Sequence, residues 1–516
     1  MMKHFNTTGP CNPADHYMLP ASTRLPEVRG LIDQKLYFVL HAARQTGKTT
    51  SMLALARELT AEGRYAALVL SVQTAAAFSD NVGGAEELLL NRWRDVAEDE
   101  LPPELCPPAW LAGATGQRIN GALRAWARAI PRPLIVFLDE VDSLKDDLLL
   151  SLLHQLRDGF TYRPKSFPWS LALIGMRDVR DYKIKSGGSD RLNTASPFNI
   201  KARSLTMSNF TADEVAALYG QHTAETGQVF TDEATARAFE LTQGQPYMVN
   251  ALAKVSVEEL QPDVAQPITA NEIERAKDIL IERQETHLDS LVERLREERV
   301  RKIIEPILAG SSLGDFPIDD LRFVLDLGLV RRENGSGVFI ANPIYQEIIP
   351  TALAAVTRAS LPHITPAWLN ADGSLNPGKL LESFLAFWRQ HGQPLLGSVH
   401  YHEIAPHIVM MAFLHRVVNG GGSLEREYAI GTRRMYVCLR YGAFTLGMEL
   451  KVRRDGKPDP LTEGLAQLDE YLSGLGLETG WLVIFDQRSG LPDISERTTA
   501  ETAVSPAGRT ITVICG

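Results

Sequence analysis

From residue 36 to residue 200, short apolar runs alternate with stretches whose apolar positions recur every three or four residues. The runs Leu36–Leu40, Tyr65–Val72, Leu134–Leu138 and Ser170–Ile174 are almost uninterrupted, as strands buried on both faces are. Alternation of this kind predicts a parallel sheet covered by helices on both sides, the α/β class. Beyond residue 208 the pattern turns helical, and residues 270–305 interleave Glu, Arg and Lys like a solvated helical face. Residues 1–35 are rich in Pro and polar side chains, with turns at Asn12-Pro13 and Leu19-Pro20. They read as an ordered extension lying against the sheet domain.

Residues 300–350 have the cadence of a winged helix. A helix over Ile303–Ala309 precedes a second beginning near Ile318. Then come Leu327-Gly328-Leu329-Val330, a turn at Asn334-Gly335 and a strand at Val338–Ile340. The second helix carries Asp319, Asp320 and Asp326 against a single Arg322. Phosphate contacts favour Lys and Arg, so packing against protein is expected there rather than the reading of DNA. Residues 360–400 read as a connector to a second α/β block over 400–490, and the Ser-, Thr- and Ala-rich residues after it carry little signal.

Composition narrows the partners. The 516 residues leave room for roughly two or three domains, each with its own core. A net charge of −10 argues against nucleic-acid binding by the whole surface and leaves only local basic patches for it. The cysteines Cys11, Cys106, Cys438 and Cys515 are scattered, with no CxxC pair. That spacing fits neither a zinc site nor a disulfide framework and points to a reducing compartment. Met1–Asn6 lacks the apolar core of a signal peptide, and no apolar run reaches the ~20 residues of a membrane span. A cytoplasmic protein with no membrane partner is expected.

The richest chemistry follows the first apolar run. Ala42-Ala43-Arg44-Gln45-Thr46-Gly47-Lys48-Thr49-Thr50 reads as a phosphate-binding loop entering a helix. Backbone N–H groups of Gln45 to Thr50 would cradle phosphates, Lys48 would reach the β- and γ-phosphates, and the Thr49 hydroxyl would hold Mg²⁺. Ala42 stands where such loops usually have a glycine, which is tolerable if φ is negative there. Downstream, Leu134–Leu138 ends in Asp139-Glu140. Asp139 fits the metal position and Glu140 the base that activates an attacking water. After Leu171–Ile174 comes Gly175-Met176-Arg177. Arg177 at that strand tip either faces a γ-phosphate, where it would stabilise charge, or is a surface arginine. Gly244-Gln245-Pro246 opens a helix in the helical region.

Together the loop, the LDEVD strand, Arg177 and Gly244-Gln245-Pro246 resemble the STAND and origin-recognition-like P-loop ATPases. The resemblance covers roughly residues 1–350. It implies ATP with Mg²⁺ as ligands, a catalytic set of Lys48, Glu140 and Arg177, and nucleotide sensing by Arg177, Gly244 and Pro246. A winged helix following the lid is implied as well. Phe5–Cys11 with His16–Pro20 resembles the start of bacterial ATP-binding proteins with a nuclease-like C-terminus, which implies that Tyr17–Pro20 line an adenine pocket. Members of this family act more as switches than motors, changing oligomeric state with ATP, so a homo-oligomer is an open expectation. An arginine acting in trans is unassigned among Arg180, Arg191 and Arg203.

In the C-terminal block, Phe444–Val452 carries Glu449-Leu450-Lys451. Strand alternation puts Glu449 and Lys451 on one face, where a carboxylate for Mg²⁺ beside a lysine suits phosphodiester hydrolysis. A helix carrying Glu403 precedes it, with strands at Leu424–Ile430 and Met435–Tyr441 between. A helix bearing Gln467-Leu468-Asp469-Glu470-Tyr471 and the strand Trp481–Phe485 follow. This order, with ELK and QxxxY, resembles the PD-(D/E)XK nucleases of the RecB type. The resemblance implies site residues Glu403, Glu449, Lys451, Gln467 and Tyr471, with Glu449 on the metal. One position departs from that pattern: Tyr436 stands where the second strand supplies the main metal-binding Asp, and a phenol is a poor Mg²⁺ ligand at neutral pH. Glu403, Glu449 and Glu425 remain as oxygen donors. Lys451, Arg453, Arg454 and Lys457 either meet a phosphate backbone or form a solvated loop.

These readings divide the chain into an extension (1–35), a P-loop core (36–205), a helical lid (206–300), a winged helix (301–352), a connector (353–399), a restriction-endonuclease-like domain (400–490) and a tail (491–516). The function they imply is an ATP-driven switch coupled to a nuclease-fold effector acting on DNA, in defence against foreign DNA by resemblance. The alternative is a nucleotide-gated scaffold whose degenerate nuclease fold binds a partner or DNA.

Overall fold

A computed structural model describes residues 2–516 except 79, 111–112, 145, 178–199, 284–292, 296, 309–316, 334–336, 361–365, 399–404, 419–420 and 430–433. The chain forms two compact units, residues 1–280 with 326–328, and residues 281–325 with 329–516.

In the first unit, α1 (Ala21–Arg24) and α2 (Pro26–Asp33) lead into β1 (Tyr37–His41), α3 (Lys48–Ala61) and β2 (Ala66–Ser71). Next come α4 (Val82–Glu100), α5 (Arg118–Ala129), β3 (Leu134–Asp139), α6 (Asp146–Gly159), β4 (Ser170–Gly175) and β5 (Lys201–Thr206). The strands form one parallel sheet in the order β2-β3-β4-β1-β5. Strand periodicity splits the core into two layers. Tyr37, Val39, Leu68, Leu70, Val136 and Leu138 pack with Leu89 and Trp93 of α4 and Trp126 of α5. Their neighbours Phe38, Leu40, Ile135 and Phe137 face Val28 and Leu31 of α2 and Met52 and Leu55 of α3. Burial of both faces is why these strands read as unbroken apolar runs. The exception is β5, Lys-Ala-Arg-Ser-Leu-Thr, an edge strand whose residues remain partly exposed. It has no run to detect.

The helical part that follows comprises α7 (Ala212–Thr226), α8 (Asp232–Thr242), α9 (Pro246–Val255) and α10 (Ala270–Arg283). Thr211 and Glu214 close a capping box on α7. Gln245 caps α9, whose first residue is Pro246, where the missing N–H costs nothing. The N-terminal extension lies against this lid as well as the sheet domain. Phe5 and Tyr17 join Tyr219, His222 and Phe230 in one buried aromatic cluster. Met18 N donates to Gln221 Oε1, and Gln221 Nε2 returns a bond to Met18 O.

In the second unit, helices Glu298–Leu308 and Ile318–Asp326 precede the hairpin β6 (Val330–Glu333) and β7 (Gly337–Ile340), in the expected cadence. Ala309 and the Asn334-Gly335 turn lie outside the described residues. The expected connector contains the end of one helix, Pro343–Ser360, and a second, Pro377–Ser398. It also carries part of the core: Phe387 stacks on Phe413 at 5.0 Å, and Trp388 lies 4.8 Å from Phe485, ring centre to ring centre.

The C-terminal sheet combines β8 (Gly422–Ala429), β9 (Arg434–Tyr441), β10 (Phe444–Arg453), β11 (Thr479–Asp486), β12 (Thr499–Val504) and β13 (Thr510–Cys515), in the order β12-β13-β11-β10-β9-β8. The helix–strand–strand–strand–helix–strand order predicted for this block is present, with its first helix at Ala405–Val418 and its second at Leu461–Leu475. The boundary at residue 490 needs correction. β13 pairs in parallel with β11 from Thr479↔Thr510 to Ile484↔Cys515, and Ile511, Val513 and Ile514 are buried. Residues 499–515 complete the sheet. Among the described residues, no helix is long and apolar enough to cross a membrane.

Candidate functional site

The loop after β1 is built by its local backbone. Gln45 and Gly47 take positive φ, 56° and 87°, whereas Ala42 does not. A methyl group at position 42 therefore costs nothing, as the sequence required. Gly47 caps α3, and the first N–H groups of that helix have no intrahelical acceptor, which makes its end an anion-binding site. Lys48 Nζ is folded back onto the carbonyls of Ala42 at 2.9 Å and Ala43 at 2.7 Å. Burial lowers its pKa to about 8, with Asp139 and Asp142 opposing that shift and Arg44 adding to it.

Two carboxylates meet this loop from the end of β3. Thr49 Oγ1 donates to Asp139 Oδ2 at 2.6 Å. Burial pushes the Asp139 carboxyl up, against the pull of Thr49, the Glu140 N–H and Lys48. A hydroxyl and a carboxylate in contact beside a phosphate loop are the hard oxygen donors that Mg²⁺ takes, so these two residues fit the expected ion. Glu140 leaves the strand with φ 61° and ψ 35°. Its Oε2 accepts a 2.6 Å bond from Ser71 Oγ on the neighbouring strand.

These groups line a cavity of about 660 Å³, within the range of small-molecule sites. All six predicted loop residues, Gln45, Thr46, Gly47, Lys48, Thr49 and Thr50, are in its wall with Asp139 and Glu140. The extension contributes Tyr17, Met18 and Leu19, and the lid contributes Phe210, Leu218, Pro246, Tyr247 and Asn250. Pro20 is not in the wall. Burial raises the Tyr17 phenol, and its hydroxyl lies 3.3 Å from His222 Nδ1.

Two predicted ATPase residues stand apart from this cavity. Arg177 follows β4, which lies between β1 and β3 as expected, but it is not among the lining residues. Gly244 does not line the cavity either. It has φ +70°, and a Cβ there would lie 1.9 Å from the Phe210 carbonyl oxygen. Its glycine is demanded by backbone packing that seats Phe210, whose N–H donates to Gly244 O at 2.8 Å. Of the trans candidates, Arg203 pairs with Glu27 at the surface, while Arg180 and Arg191 fall outside the described residues.

Sequence reasoning missed Arg24. This buried guanidinium lines the cavity and pairs with Glu214 at 3.1 Å. It also donates to Ser208 O at 2.5 Å and lies over the Phe210 ring at 4.7 Å. The segment Leu19-Pro20-Ala21-Ser22-Thr23-Arg24-Leu25 gives no sequence sign that its cation is buried.

In the second unit, Glu449 and Lys451 share a face of β10, as alternation requires, and form a 3.1 Å ion pair. Gln467 Oε1 accepts from Lys451 Nζ at 2.5 Å, and Gln467 Nε2 donates to Glu463. Tyr436 sits directly opposite Glu449 in the β9–β10 register. Its ring stacks on Tyr471 at 4.2 Å and 13°, and its hydroxyl donates to Gln467 O at 3.0 Å. Thus Glu449, Lys451, Gln467 and Tyr471 come together around Tyr436. Glu403 and the Glu425 side chain lie outside the described part. Among the described residues, no group of three or more His, Cys, Asp or Glu side chains could hold a metal. His407, also missed, is buried, and its ring pKa falls to about 3, through burial first and then Arg454 and Lys451. Arg453 is held by Asp459 at 2.7 Å.

No protein-family model matches the sequence, and no curated protein sequence matches it. Among solved structures, the chain is similar to a Walker-type ATPase of Pyrococcus abyssi at 14% identity, over 67% of this chain and 99% of that one, with a TM-score of 0.49. It is similar to Cdc6p of Pyrobaculum aerophilum at 12% identity, over 67% and 96%, with a TM-score of 0.37. It is also similar to the RuvB Holliday junction branch migration motor of Thermotoga maritima at 15% identity, over 64% and 92%, with a TM-score of 0.34.

Proposed function

We propose that this chain is an ATP-binding and ATP-hydrolysing switch. The observation that carries this reading is the 2.6 Å contact between Thr49 and Asp139 at the mouth of the Lys48 loop. It brings a phosphate cradle and a magnesium-binding pair into one cavity. Lys48 and the loop N–H groups bind phosphate, Thr49 and Asp139 hold Mg²⁺, and Glu140 activates water. Bound Mg²⁺ would supply charge neutralisation on the phosphates. Because both lid and extension line the cavity, a nucleotide touches parts that hinge on different elements, as a switch requires. Phosphate release measured with Mg²⁺ and ATP tests the reading. Lys48→Ala should abolish binding, and Glu140→Gln should bind without turnover; hydrolysis persisting in the latter removes Glu140 from its role.

For the second unit, the packing of Tyr436 favours the scaffold reading over an active nuclease. A stacked phenol occupies the place opposite Glu449, and Lys451 is engaged by Glu449 and Gln467. The unit then acts as a binding module for DNA or a protein partner, gated by nucleotide. Cleavage of plasmid DNA with Mg²⁺ and ATP that disappears in Glu449→Ala would restore the nuclease reading.

A further inference from the structure

The cavity wall contains one polar group for which phosphate binding has no use. Asn250 lies on α9, one helical turn after Pro246, and both line the cavity. The residue is buried, with 7% of its surface exposed. Nδ2 donates to Pro246 O at 2.8 Å. Oδ1 is buried and has no hydrogen-bond partner among the described residues. The amide orientation is fixed by that first bond, because turning it over would set oxygen against oxygen. Buried polar atoms of native proteins are almost always satisfied, so a buried acceptor without a partner, on a residue that lines the cavity, calls for a donor that arrives with a ligand.

A triphosphate ionised at neutral pH offers only acceptors. The donors of a nucleoside triphosphate are the amino group of the base and the hydroxyls of the ribose. The wall that includes Asn250 also has the apolar or aromatic Leu218, Pro246, Tyr247 and Tyr17. Such surfaces hold a nucleoside by area and leave discrimination to the few polar atoms among them. We propose that Asn250 is the residue that reads the nucleoside, its Oδ1 accepting a hydrogen bond from the adenine amino group or a ribose hydroxyl. The proposal rests on the nucleotide-site reading above. It makes selectivity a property of the lid, so that recognition of the base or sugar and closure of the site are one event.

A site built to pair with a ligand donor rejects analogues lacking it more strongly than a purely apolar pocket does. Calorimetric titration of the full chain without Mg²⁺, which prevents turnover, should show ATP binding at least about tenfold more tightly than one of ITP, 2′-deoxy-ATP and 3′-deoxy-ATP. Preference against ITP assigns the amino group, and preference against a deoxy analogue assigns that hydroxyl. In Asn250→Ser, whose hydroxyl can keep the bond to the carbonyl one turn back, that preference should collapse to less than about twofold while binding of the rejected analogue is unchanged. Wild-type protein that binds all four nucleotides alike overturns the proposal without any variant, and so does a preference that survives in Asn250→Ser. Protein that binds none of them removes the nucleotide-site reading itself.

Discussion

Ser71 Oγ donates to Glu140 Oε2 at 2.6 Å across the β2–β3 pair. The carboxylate proposed to activate water is thus held by a neighbouring strand. Ser71→Ala removes that hold. A hydrogen bond to a charged group contributes about 1.5–3 kcal/mol, so basal ATP turnover should rise about tenfold with KM for ATP unchanged, read by phosphate release. Turnover that falls would mean that the hydroxyl orients Glu140 for reaction instead.

Arg24 links the extension to the lid through Glu214 and the carbonyls of Ser208 and Asn209. Removing one partner of a buried pair costs about 3–5 kcal/mol because the other charge is stranded. Arg24→Ala should lower stability to urea by about 3 kcal/mol and weaken ATP binding. Arg24→Lys should rescue neither, since an ammonium cannot reproduce the fork that reaches three acceptors.

His407 has a pKa pushed down to about 3 by burial, then by Arg454 and Lys451. An unfolded histidine titrates near 6.5. Between these values the unfolded chain binds the extra proton, so stability rises with pH across that window and is lost as pH falls below about 6.5. The slope is about 1.4 kcal/mol per pH unit for one group. His407→Leu should lose less stability than wild type between pH 7 and pH 5, compared by urea unfolding. Equal losses would show that the ring is not buried in its neutral form.

Tyr436→Asp exchanges a stacked ring and a hydroxyl bond for a second carboxylate opposite Glu449. Without divalent ions the variant should be less stable by about 3 kcal/mol. Mg²⁺ should raise its unfolding temperature by more than it raises that of wild type. A variant indifferent to Mg²⁺ would show that residues 436 and 449 cannot share an ion.

Legibility in the sequence followed physical cause. Leu134–Leu138 announced β3 because both faces of that strand are buried, and Asp139-Glu140 at its end announced two carboxylates that line the cavity. The edge strand Lys201–Thr206 gave no such sign, since half-exposed positions need no apolar residues. Thr510–Cys515 was obscured because Thr alternates there with Ile and Val, and the burial comes from β11, remote in sequence. Gly244 was expected to sense nucleotide as part of a lid motif, but what demands a glycine there is the Phe210 carbonyl behind it. Arg24 was not legible because its acceptors are brought to it only by folding. The aspect of the second site hardest to foresee was how fully Tyr436 is integrated, since a single letter cannot say whether its side chain is tolerated or wanted.

That integration has a consequence for heredity. Aspartate and tyrosine codons differ at one base, so exchange at position 436 is a single mutation in either direction. The two directions are unequal. A tyrosine arriving there finds Tyr471 to stack on and the Gln467 carbonyl to meet its hydroxyl. An aspartate arriving there finds another acid beside it and an empty place where the ring had been. The stacked pair therefore makes exchange away from tyrosine the costlier direction.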